Sequence, residues 1–185
     1  MGVADPFAVE RLGIPPHQSR ARPQKGVREI GWAAFGEMAR ELAGRIADAF
    51  HPDVVLGIAK GGVFVGGALA GALRADFFAI RLEERSRDRE GAGRLEASEK
   101  LPDVKGKRVL VVDDVAATGR TLERARALVR KGKAREVRAA VLVVRPGGAR
   151  PEYFSLETNE LVVFGWDYQM TASGSGMGDP GEVGV

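Results

Sequence analysis

Val109-Leu-Val-Val-Asp113-Asp114-Val115-Ala116-Ala117-Thr118-Gly119-Arg120-Thr121 decides the fold of this 185-residue chain. Four apolar residues read as a buried strand that delivers two adjacent carboxylates into a short loop, and a helix-forming run begins directly behind it. Such a junction can hold a phosphorylated sugar. The carboxylates accept hydrogen bonds from ribose hydroxyls, while loop amides and the positive end of the helix take a phosphate. Gly119 permits backbone angles, or a close approach, that a side chain would block. Thr118 and Thr121 offer hydroxyls to phosphate oxygens, and the amides over Val115, Ala116 and Ala117 line the cradle. Arg120 faces either the phosphate or solvent. A plain surface turn leaves the fixed offset of Thr118-Gly119-x-Thr121 unexplained. The acidic half of a nucleotide triphosphatase needs a Gly-x-x-x-x-Gly-Lys-Ser/Thr loop, and neither that loop nor a dinucleotide-binding Gly-x-Gly-x-x-Gly occurs here.

The flanking sequence supplies the scaffold. Phe35, Met38, Ala39, Leu42, Ile46 and Ala49 recur at helical spacing, predicting a helix from Trp32 to Phe50 that His51-Pro52-Asp53 breaks. Val54–Ala59 reads as a buried strand, Lys60-Gly61-Gly62 as a turn, and Val63–Leu73 as a small-residue helix. Strands are predicted at Phe77–Arg81, Arg108–Val112, Val137–Val144 and Leu161–Phe164, with a helix from Arg120 to Lys131. Residues 82–107 are charged and lack an apolar period, which predicts a loop or flap over the site. Residues 1–28 are Pro-rich and read as an irregular arm, and residues 170–185, rich in Gly and Ser, as a disordered tail. Strands alternating with helices predict a mostly parallel sheet of about five strands with helices on both faces, an α/β fold. Ligands of such sheets sit beyond the carboxyl ends of the strands. Lys60-Gly61-Gly62 and the Asp113–Thr121 run both follow strands, so they share one edge. Taken alone, Ala59-Lys60-Gly61-Gly62 is equally an ordinary strand-to-helix turn.

The whole pattern, from about Trp32 to Tyr168, resembles the type I phosphoribosyltransferases, whose signature loop binds phosphoribosyl diphosphate (PRPP). In order and spacing, Arg145-Pro146, Arg150–Tyr153 and Leu161–Asp167 are similar to the hood of the hypoxanthine, guanine and xanthine (6-oxopurine) enzymes. The resemblance implies a core domain over 29–169 with a small hood over 145–168. It implies that Asp113, Asp114 and Lys60 are catalytic, and that Ala59, Lys60, Gly61 and Gly62 bind the diphosphate across a cis Ala59–Lys60 peptide bond. Arg145, Leu161, Val162 and Trp166 are implied as base-binding. Mg2+ is implied as cofactor, held by Asp113, Asp114 and Asp167 directly or through water. The implied reaction moves ribose 5-phosphate from PRPP to a ring nitrogen of a purine and releases diphosphate, a purine salvage step.

Two departures stand out. Ala117 occupies the position where the hypoxanthine and guanine enzymes carry an aspartate that takes the purine N7 proton, and its wording is similar to adenine phosphoribosyltransferases. Leu161 stands where the 6-oxopurine group has a stacking aromatic. Phe164 and Trp166 are nearby, as replacements or as core. Glu83 or Glu84 of the polar segment, or a water, would substitute for the missing base. The rival readings are a PRPP- or nucleotide-binding regulator without turnover, and an enzyme for adenine or another base such as orotate or uracil.

Composition narrows the alternatives. The chain has no cysteine, which excludes disulfides, thiolate catalysis and zinc–thiolate sites. Its two histidines, His17 and His51, are far apart and unsuited to a triad. Lys and Arg number 28 against 25 acids, too small an excess to argue for nucleic acid, and no basic stripe with interleaved aromatics occurs. No apolar run is long enough to span a membrane. A cytoplasmic protein is expected, a homodimer or homotetramer by the resemblance, with PRPP and a nucleobase as its small-molecule partners.

Overall fold

The computed structural model describes residues 26–84, 95–97 and 101–167. The arm over 1–25, His17, Tyr168 and the tail over 170–185 lie outside the described residues, as do the side chains of Glu83 and Glu84. In chain order the elements are β1 (Val27–Ile30), α1 (Trp32–Ala47), β2 (Val54–Ile58), α2 (Gly61–Leu73), β3 (Asp76–Ile80), β4 (Leu82–Glu84), β5 (Leu95–Ala97), β6 (Arg108–Ala116), α3 (Arg120–Lys131), β7 (Glu136–Val144), β8 (Tyr153–Glu157) and β9 (Leu161–Phe164).

The central sheet is parallel throughout, in the order β3-β2-β6-β7-β8. From β2 the chain crosses by α2 to β3, and from β6 it crosses by α3 the opposite way to β7. Right-handed crossovers running in opposite directions must place their helices on opposite faces. The packing agrees. Leu42 and Ile46 of α1 and Val65 and Leu69 of α2 cluster with Val55, Leu110 and Val112. Leu122, Ala125 and Val129 of α3 cluster with Leu56, Val109 and Val111. Odd and even residues of β6 thus serve different helical layers, as a period of two requires. Strand segments covered on both faces are apolar throughout, which is why Val54–Ile58 of β2, Val109–Val112 of β6 and Ala139–Val144 of β7 read as continuous hydrophobic runs. The reversal of strand order falls between β2 and β6, the place where open α/β sheets carry their ligand crevice.

Leu42 is fully buried between α1 and the sheet. Leu42→Ala is expected to cost roughly 2–5 kcal/mol, read as a lowered urea midpoint at unchanged slope. A loss of less than about 1 kcal/mol, well below that range, would show that α1 contributes little to holding the sheet.

Several boundaries differ from the sequence-based expectation. Helix α1 stops at Ala47, and Phe50 leaves it to lie buried with the Arg138 guanidinium 4.7 Å from its ring centroid. Strand β6 runs on to Ala116, so Asp113 and Asp114 sit in the strand rather than in the loop, with Asp113 paired to Val141 and Ala116 to Val144. The fifth strand is β8, which was not anticipated: it is a half-buried edge strand with no run of β-branched residues. Val27 and Arg28, read as the end of an irregular arm, belong to β1, which pairs in parallel with β9 as a separate two-stranded sheet. Within 82–107, β4 and β5 form an antiparallel ribbon, and Val104 is buried in the α3-side core. That segment is therefore not one continuous polar loop.

Candidate active site

Strand β2 follows β6 only as far as the Gly57–Val112 pair, while it keeps β3 company to Ile58–Ile80. The gap this leaves beside the end of β6 is filled by Ala59-Lys60-Gly61-Gly62, and the Ala59–Lys60 peptide bond is cis, as the resemblance implied. The two motifs touch. A Cβ placed on Gly61 would stand 1.7 Å from Asp114 Oδ2, and one on Gly62 2.6 Å from the Val112 carbonyl oxygen. Helix α2 can approach this closely because a Cβ on Gly66 would come within 2.7 Å of the Phe77 ring and 3.2 Å of Gly57 Cα. Lys60 is the exposed N-cap residue of α2 and makes no side-chain cap, so the positive end of that helix opens on the crevice.

Asp113 and Asp114 lie at the crevice floor, partly buried. Asp113 Oδ1 accepts from the Asp114 amide at 3.0 Å, and Asp114 Oδ1 accepts from the Val115 amide at 2.7 Å. Among the described residues neither carboxylate has a cationic ion-pair partner. Burial holds the Asp113 carboxyl well above the usual aspartate range, and the neighbouring Asp114 charge adds to this. Burial also raises Asp114, against the Val115 hydrogen bond that lowers it, and the negative charge of Asp167 pushes it further up. Asp167, on the hood side, is fixed by the Phe164 amide that donates to its Oδ2 at 2.8 Å.

The loop after β6 spans 117–119 and enters α3 through Gly119, whose φ of 74° lies in the left-handed region. Gly119 is also hemmed in: a Cβ there would meet the Ala149 methyl at 2.1 Å. Thr118, Arg120 and Thr121 are exposed around the mouth of the loop, and the Arg120 amide donates to Thr118 Oγ1 at 3.4 Å. The N-cap residue Gly119 has no side chain to cap α3, and apart from the Arg120 amide, which Thr118 Oγ1 takes, the first-turn amides are left open to an anion.

The hood residues are more scattered. Leu161 and Val162 begin β9, with Val162 buried against β1. Phe164 is core. Trp166 stacks on Phe164 at 4.5 Å and on Phe64 at 4.9 Å, so its ring is engaged by the protein's own aromatics. Arg145 Nη1 donates to the Thr158 carbonyl at 3.1 Å and to the Glu160 carbonyl. Gly148 and Ala149 went unremarked in the sequence, yet they buttress the loop after β6. The Pro146-Gly147-Gly148 turn, following a strand on the same sheet edge, was the signal that could have found them.

Residues 31–173 match the phosphoribosyl transferase domain family model, and the chain belongs to that family of phosphoribosyltransferase enzymes. Among curated relatives, it is 36% identical over 144 residues to the orotate phosphoribosyltransferase of Saccharolobus solfataricus, covering 77% of this chain and 67% of the relative. It is 45% identical over 101 residues to the adenine phosphoribosyltransferase of Xanthomonas oryzae pv. oryzae, covering 49% of this chain and 53% of the relative. The matched stretch thus spans between about half and two thirds of these relatives' lengths. Among solved structures, a purine phosphoribosyltransferase from Pyrococcus horikoshii superposes with a TM-score of 0.69 at 28% identity, covering 77% of this chain and 94% of that one. The orotate and adenine names among the relatives leave the family clear and the base open.

Enzymes of this family work on PRPP with Mg2+. Among the described residues no three carboxylate or imidazole groups gather closely enough to hold a metal unaided. The donor set still fits the ion. Two adjacent carboxylates without a cationic partner, and a third near them, are hard oxygen ligands of the kind Mg2+ shares with substrate phosphates and water.

Proposed function

We propose that this protein transfers ribose 5-phosphate from PRPP to a purine, with hypoxanthine, guanine or xanthine as acceptor, and releases diphosphate. The observation that carries the reading is the contact between the Lys60-Gly61-Gly62 turn and Asp114 at the reversal point of the sheet, in front of the loop that opens α3. The match to the Pyrococcus purine enzyme supports a purine acceptor.

In this reading each element has one task. The amides over 115–121 and the start of α3 hold the 5-phosphate, with Thr118 and Thr121 donating hydroxyls and Arg120 at the rim. Asp113 and Asp114 accept from the ribose 2- and 3-hydroxyls and favour positive charge on the sugar ring as the bond to the leaving group lengthens. The Lys60 ammonium and the amides of Gly61 and Gly62 take up the charge gathering on the departing diphosphate. Asp113, Asp114 and Asp167 would hold Mg2+ directly or through water, and the ion would supply further positive charge to that diphosphate. Arg145, Leu161, Val162 and Trp166 frame the base from the hood. Ala117 offers no proton acceptor where the hypoxanthine and guanine enzymes carry an aspartate.

A second reading has its own support: Ala117 and the 45% match to an adenine enzyme favour adenine as acceptor. Incubation with Mg2+, PRPP and a panel of bases, followed by diphosphate release, separates the two. Turnover with hypoxanthine, guanine or xanthine is the expected outcome. Turnover with adenine alone selects the second reading, with orotate alone replaces both, and PRPP binding without turnover on any base makes the protein a PRPP-binding regulator.

A further inference from the structure

The turn that follows β7 joins the two ends of the crevice through one residue. The Arg145 amide donates to the Ala116 carbonyl at 3.0 Å, tying the end of β7 to the end of β6. The Arg145 carbonyl accepts from the Gly148 amide at 3.0 Å and closes the turn. That turn rests on the loop after β6. A Cβ on Gly148 would stand 1.9 Å from the Ala117 carbonyl oxygen, and the Ala149 methyl lies against Gly119. The Arg145 side chain reaches the other way. Its Nη1 donates to the carbonyls of Thr158 and Glu160, in the connection that delivers Leu161 and Val162 to the hood. Both N–H bonds of that nitrogen are thereby engaged with the protein.

We propose that Arg145 is a positioning residue, and that with the Gly148-Ala149 turn it sets the distance between the 5-phosphate loop and the base-recognition strand of the hood. This rests on the phosphoribosyl transfer reading above. The physical case is one of span. A nucleotide-forming site must hold the phosphate at one end and the base at the other while the reacting carbon lies between, and a displacement near 1 Å degrades such alignment strongly. Arg145 is built into both ends: its backbone belongs to the phosphate side and its guanidinium to the base side. Arginine suits the task because its planar fork presents several donors in fixed relative directions, whereas a lysine ammonium is a compact charge on a flexible stem. A residue that only touched a base oxygen would have no need of the carbonyls of Thr158 and Glu160.

The test uses the full chain, Arg145→Lys and Gly148→Ala, with PRPP and Mg2+ titrated by calorimetry and steady-state kinetics run on hypoxanthine and adenine. Arg145→Lys is expected to lower kcat/KM for PRPP and for base together, by roughly 10- to 100-fold, as loss of alignment predicts, and by the same factor for both bases. Gly148→Ala is expected to weaken PRPP binding to a similar extent with a smaller change in base KM. Ala149→Gly serves as the second variant should Gly148→Ala lower the melting temperature markedly. By removing the methyl packed on Gly119 it should weaken PRPP binding in the same direction. A change of base preference in Arg145→Lys at unaltered PRPP KM would mean that the guanidinium reads the base directly, and overturns the proposal. So does unchanged PRPP affinity in the turn variants. Wild-type protein that binds no PRPP overturns the proposed function and this inference with it, whereas normal wild-type binding with unaltered variants overturns this inference alone.

Discussion

Replacing Asp113 and Asp114 together by asparagine is expected to abolish turnover and, at neutral pH, to raise the melting temperature of the unliganded protein. Loss of turnover follows from the task assigned to the pair. One preorganised electrostatic partner of a transition state is worth about 100- to 1,000-fold, and the pair also holds the ribose, so a fall in kcat/KM of at least that size is expected. The stability gain follows from their environment. Burial holds both carboxyls above the usual aspartate value, and each has a further negative charge nearby, from Asp114 on Asp113 and from Asp167 on Asp114. A carboxyl whose native pKa exceeds its unfolded one favours folding most below the unfolded value and loses that contribution as pH rises through the native value. At neutral pH the two charges therefore oppose folding, and asparagine removes them. The gain should shrink as pH is lowered toward the ordinary aspartate range, where the wild-type groups are protonated too. In a domain of this size about 1 kcal/mol moves the melting temperature by roughly 2–4 °C, which scanning calorimetry resolves. With PRPP and Mg2+ present the order should reverse, because only the wild type binds and is stabilised by binding. A variant that melts lower at pH 7 and still turns over would refute both halves.

The parts of this fold that were legible in the sequence are those with two buried faces. Val54–Ile58, Val109–Val112 and Ala139–Val144 are apolar at every position because each touches helices above and below, and the strand reading followed directly. The parts that escaped are edges. Tyr153–Glu157 has a strand neighbour on one side only, and Val27–Ile30 pairs only with the short β9, so neither needs an unbroken apolar run. The carboxylates were read into the loop because polar residues seldom occupy a central strand, but β7 continues beside β6 as far as Val144 and carries the ladder past them. At the site, the glycines and paired acids were legible because backbone approach and charge leave marks in residue type. The work of Arg145 left none: its partners are backbone carbonyls 13 and 15 residues away, and any residue has a carbonyl. The acceptor base is illegible for a related reason. In the proposed reading, its recognition would rest on backbone near Val162 and on what surrounds Leu161, neither of which residue type specifies.

Gly61→Ala should inactivate the protein while leaving it folded, and it isolates the contact on which the site depends. A methyl at this position would lie 1.7 Å from Asp114 Oδ2 and 2.3 Å from its Cγ, far inside contact distance. Neither side can yield without consequence. If the carboxylate rotates away, Oδ1 gives up the Val115 amide that fixes it. If the turn withdraws instead, Lys60 and the opening of α2 move off the diphosphate position, against the close fit of Gly66 to Gly57 and Phe77. Overpacking of this kind costs about 1–3 kcal/mol of stability, whereas misalignment near 1 Å at a reacting centre costs about 100-fold in rate. Activity is therefore the more sensitive readout. Gly67→Ala and Gly71→Ala are the controls. Both lie in α2, both are exposed, and a Cβ on either would meet nothing within 4 Å. Alanine favours a helix interior over glycine by about 1 kcal/mol, so these two should stabilise the protein slightly and leave kcat/KM unchanged. Equal loss of activity in all three would assign the effect to helix α2 in general. Loss confined to Gly61→Ala assigns it to the meeting of the Lys60 turn with Asp114.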